Sequence, residues 1–83
     1  MEVKEILEQR EQTHGTFEEQ SSISQTLKHT LGKYSYKLTP QQREAMQMIM
    51  HKQARILAGD PNVKDHWVDI AGYATLVAKE LKE

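Results

Sequence analysis

Apolar positions recur at three- and four-residue intervals along almost the whole chain, the spacing of helices that each bury one face. Val3, Ile6 and Leu7 mark a short first helix over about residues 2–12, too short to hold itself in water without docking on something. Thr13-His14-Gly15 breaks it. Thr16-Phe17-Glu18-Glu19 then opens a second helix as a capping box, with Glu19 placed to reach back to the Thr16 amide. Ile23, Leu27 and Leu31 continue that helix at i+4, Phe17 begins the same side, and Gly32 is the expected stop. Lys33 to Leu38 alternates like a strand but has no partner, so it reads as an extended connector. Thr39, Pro40 and Gln42 form the start of a third helix that is expected to run to about Ala58, with Gly59 ending it and Pro61 beyond. Asn62 is placed to cap the last helix, whose stripe is Val63, Trp67, Ile70, Ala74, Val77 and Leu81, widened by Ala71 and Ala78.

The expected architecture is therefore all-α: one domain over 1–83, a small four-helix bundle-like fold with a short N-terminal helix and three longer ones. The third helix should present Ala45, Met46, Ile49, Gln53, Ile56 and Leu57 to the core, with Trp67 and Ile70 packed against Ile49 and Ile56. Eighty-three residues, 37% of them hydrophobic, leave little core to share among four helices. Completion by a homo-oligomeric partner is the corresponding expectation.

Charge changes the picture next. Eleven Lys and Arg against twelve Asp and Glu give a net charge of −1, which argues against a general nucleic-acid binder. A helix pair docking on DNA ranks lowest, because the helix after Gly59-Asp60-Pro61-Asn62 opens with Asp65, His66 and Asp69, the wrong sign for phosphates. The chain has no cysteine for disulfide or zinc-thiolate chemistry. Its charged N-terminus does not read as a signal peptide, and no stretch approaches a membrane span. A cytoplasmic protein is expected.

Candidate chemistry sits on the last two long helices. Asp65 and Asp69 are four apart, so both carboxylates leave one face, where a divalent cation or a neighbouring Lys or Arg would compensate them. Glu44 reaches that face only in a favourable register, and Lys52 and Arg55 are placed to hold phosphates or to pair with the two aspartates. His14, His29, His51 and His66 lack the spacing of a zinc site. His66, next to Asp65 and three residues before Asp69, is the most suggestive of the four.

The run Thr13-His14-Gly15-Thr16-Phe17, then Gln42-Arg43-Glu44-Ala45 through His51-Lys52 to Gly59-Asp60, and the block Asp65-His66-Trp67-Val68-Asp69-Ile70-Ala71-Gly72-Tyr73-Ala74 together resemble a family of short phage and prophage proteins. These look like distant kin of the MazG-like all-α nucleotide pyrophosphohydrolases. The resemblance implies a Mg²⁺ site made by Glu44, Asp65 and Asp69, phosphate contacts from Lys52 and Arg55, and His14, His51, His66 and Tyr73 as further site candidates. The chain departs from the family's paired acidic motifs: position 41 is Gln, and Asp65 lies four residues before Asp69 where a glutamate three residues before is usual. Two functions follow from the resemblance. One is a protein that binds a nucleoside triphosphate, with Mg²⁺-dependent release of pyrophosphate. The alternative is a non-catalytic phage accessory protein that binds a nucleotide or a host protein.

Overall fold

Helix boundaries follow the caps. Thr16 Oγ1 accepts the Glu19 amide at 3.1 Å and opens one helix. At the next, Thr39 Oγ1 accepts the Gln42 amide at 3.1 Å while Gln42 Oε1 accepts the Thr39 amide at 3.0 Å. The reciprocal box, with Pro40 in the first turn, satisfies donors that a helix start leaves open. The computed structural model describes residues 2–82, so positions 1 and 83 of the expected domain lie outside the described residues. It comprises α1 (Val3–His14), α2 (Phe17–Tyr34), α3 (Pro40–Ala58) and α4 (Lys64–Ala78), with a 3₁₀ turn over Ser35–Lys37. The small all-α, bundle-like class is as the periodicity predicts, and none of these helices is long and apolar enough to cross a membrane.

α3 is the middle of the structure. It packs along α2 and along α4, while α1 lies against α2 and α3. Gly15 turns the chain from α1 into α2 at φ +78°, a conformation open to glycine. A Cβ there would stand 2.5 Å from the Ala58 carbonyl carbon, so the turn is pressed against the end of α3.

Leu31, Ala45 and Ala54 are the buried apolar residues, and the polar side chains of Gln20, Ser24, Lys52 and His66 are buried beside them. No large side chain among the described residues is fully buried.

Several local expectations shift. Gly32 does not end α2, which continues in right-handed geometry through Tyr34 and closes into the 3₁₀ turn where an extended connector was expected. Asn62 does not cap α4; Val63 holds the cap position, and the Asn62 amide instead donates to Asp60 Oδ1 at 2.9 Å. Trp67 is 55% exposed and lies outside the core, its indole Nε1 donating to the Pro61 carbonyl at 2.8 Å. Phe17, Met46, Gln53 and Leu57 are exposed as well. For Trp67 the reason is a rotation of α4: the side that faces inward carries His66, Asp69, Ile70, Tyr73 and Val77, the buried and half-buried positions. Polar contacts hold that face, so the apolar stripe drawn through Trp67 and Ala74 points partly outward.

Candidate functional site

The structure distributes the candidate residues over three places on α3 and its neighbours. Lys52 and Asp69 meet where α3 faces α4, with Nζ–Oδ2 at 3.1 Å. Lys52 is buried and Asp69 is about half exposed. This realises one half of the alternative in which the two basic residues pair with the two aspartates. Asp65 is exposed in the first turn of α4, where its charge complements the helix dipole.

Glu44 stands eight residues before Lys52 on α3, about 12 Å along the axis. There it lines a cleft of about 370 Å³ with Tyr73, Leu76 and Lys79. Glu44, Asp65 and Asp69 are therefore not drawn together, and among the described residues no three His, Asp or Glu side chains gather into a metal-binding group. Glu44 stands apart from the two aspartates with which the resemblance groups it.

The third place is a cleft of about 300 Å³ between α1, α2 and α3, lined by Arg10, His14, Phe17, Gln20, His51 and Arg55, with Leu7, Glu11 and Gly15. Local sequence explains who points there. Arg10 and His14 are four apart on α1, His51 and Arg55 four apart on α3, so each pair shares a helix face. Gln20 Nε2 lies 3.4 Å from His51 Nε2 and ties α2 to α3.

Two guanidiniums, Arg10 and Arg55, and one carboxylate, Glu11, line this cleft. Burial and then Arg10 lower the Arg55 guanidinium, and Asp69 offsets them only in part. Burial, followed by Arg55, Lys28 and Lys52, lowers His51. His14 falls from 6.5 to about 4 through burial, then Arg55, His66, Arg10 and Lys52. Both imidazoles are thus disfavoured as cations, first by burial and then by the cations beside them. Among the described residues the only ion pair is Lys52–Asp69, so neither Arg10 nor Arg55 is bridged to a carboxylate. The Arg55 Nε is buried with no hydrogen-bond partner.

His66 serves the frame. Its Nε2 donates to the Thr13 carbonyl at 3.1 Å, and the same oxygen accepts the Asp60 amide at 3.1 Å. Its ring meets that of His14 edge to face at 4.9 Å. The C-terminal end of α1 is thereby tied to the α3–α4 turn and to α4. This accounts for Thr13-His14-Gly15 and Gly59-Asp60 as one structural joint.

The sequence singles out Arg55, His14 and His51 as site candidates, but its reading gave Arg10 and Gln20 no site role and put Phe17 on a buried side. The i,i+4 spacing of Arg10 with His14, matched by His51 with Arg55, was the available signal.

A family model described as "Domain of unknown function (DUF6378)" matches residues 2–81 of the chain. No curated protein and no solved structure matches it.

Proposed function

The chain belongs to the DUF6378 family, and on that premise we propose that it binds a nucleotide by its phosphates in the cleft between α1, α2 and α3. The observation that carries this reading is the pair of unbridged guanidiniums, Arg10 and Arg55, lining one cleft in which the Arg55 Nε is buried without an acceptor. A buried donor left without a partner costs about 1–3 kcal/mol, and phosphate oxygens satisfy such donors while neutralising the charge that lowers His14 and His51. Exposed Phe17 and Leu7 at the same cleft offer apolar surface for a base, Phe17 as a stacking face.

The proposal keeps the nucleotide as the ligand class implied by the MazG-like resemblance and moves its phosphates from Lys52, which Asp69 engages, to Arg10 and Arg55. No step through Mg²⁺ is part of it. Its setting is the cytoplasm, with self-association of the chain.

Calorimetric titration with nucleoside mono-, di- and triphosphates, with and without Mg²⁺ and with pyrophosphate release read in parallel, tests the proposal. Binding that persists in chelator is expected, with Arg55→Gln and Arg10→Gln each weakening it by at least about tenfold, the value of one charge-assisted hydrogen bond. Equal affinity in both variants, or no binding by the parent, overturns the proposal.

A further inference from the structure

The chain exposes 6447 Å² of surface, whereas a folded monomer of its 9.6 kDa mass exposes about 5,100 Å². Its radius of gyration is 14.4 Å, against about 12 Å for a compact domain of this length. The excess of roughly 1,300 Å² lies in the range that one protomer of an obligate homodimer buries, about 1,000–2,500 Å². With no large side chain fully buried among the described residues, the missing cover is a structural need of the chain.

We infer that a second copy of this chain packs on the outer face of α4. From Ile70 to Ala78 the helix carries no charged residue, yet its outward positions are exposed, Val68 at 52% and Leu76 at 54%. Ala71, Gly72 and Thr75 lie exposed between them, and a Cβ on Gly72 would meet nothing within 4 Å. Such small residues let two helix backbones approach closely. A two-fold interface sets the same patch against itself; the side chains that compose it are uncharged, and Asp69 at its edge is already neutralised by Lys52, which limits like-charge repulsion. Trp67 sits at one end of the face, more than half exposed in the single chain. A copy of the same chain is also the one occupant present wherever the chain is made, as a constitutive need requires.

Sedimentation equilibrium at about 100 µM, a concentration where an obligate dimer persists, tests the inference, with Val68→Glu/Leu76→Glu as the disrupting variant. The parent is expected at twice the chain mass and the variant at the single-chain mass, with weakened helical circular dichroism because the cover it needs is lost. Because the chain has no cysteine, Ala71→Cys gives a second reading that needs no disruption. Mild oxidation should convert it to a covalent dimer, while Gln25→Cys on exposed α2 stays single. A monomeric parent overturns the inference, and so does a dimer that neither cross-links through Ala71→Cys nor responds to the glutamates.

Discussion

His14 shows how one residue reports on its surroundings. Its imidazole titrates near 6.5 when free of the fold and at about 4 within it. Between those values the unfolded chain holds the extra proton, so stability is full above pH 6.5 and falls as pH drops toward 4. Burial is the larger cause of that depression, and an anion between Arg10 and Arg55 reverses the smaller part that these cations add. Binding should therefore take up protons, and the affinity for sulfate, which does not titrate here, should rise from pH 7 to pH 5. Titrations in buffers of different ionisation enthalpy measure the uptake; an affinity flat across that range would separate His14 from the ligand. At this scale the sequence marked which residue types matter but not who partners whom. Lys52 and Arg55 are three apart on α3 and seemed to share a role, yet one is neutralised by Asp69 while the other lines the cleft. That division depends on which neighbouring helix each meets, which periodicity within one helix does not record.

Among the elements, the reliable signals were those with local chemistry. Thr39-Pro40-Gln42 predicts the α3 start because the box closes on itself within four residues. Gly32 misled because glycine stops a helix only where the chain takes left-handed geometry, and here it stays right-handed inside α2. An alanine at Gly32 would have its Cβ in open space. Gly32→Ala should then stabilise the protein by about 1 kcal/mol, raising Tm by roughly 4–8 °C in a domain this small. A thermal melt checks it; an unchanged or lowered midpoint means that position 32 needs glycine for a reason other than helix geometry. For α4, the apolar positions alone gave a stripe with Trp67 and Ala74 on it, whereas His66 and Asp69 turn the helix by making polar contacts inward. A pattern that ranks residues by hydrophobicity does not expect a histidine to be the most buried side chain of its helix.

Over the whole molecule, the helix number was legible, because capping signals and glycine or proline breaks between helices suffice for it. The cleft between α1, α2 and α3 was not, since α1 brings Arg10 to it from more than forty residues away in sequence. The Lys52–Asp69 contact has one more consequence, for the sliding of helices. Asp65 lies one turn before Asp69, so a shift of α4 by about 6 Å along α3 would exchange one carboxylate for the other opposite Lys52. Either carboxylate would neutralise Lys52; the His66–Thr13 hydrogen bond distinguishes the two alignments, because only one brings Nε2 to that carbonyl. Asp69→Asn should therefore cost only about 1–2 kcal/mol, below the loss for a fully buried pair. In denaturant melts, Asp65→Asn/Asp69→Asn should cost more than the two single changes together. Strict additivity would mean that α4 is fixed in its track. Excess loss in the double variant would mean that this helix pair carries a ratchet of two notches, with a histidine as its pawl.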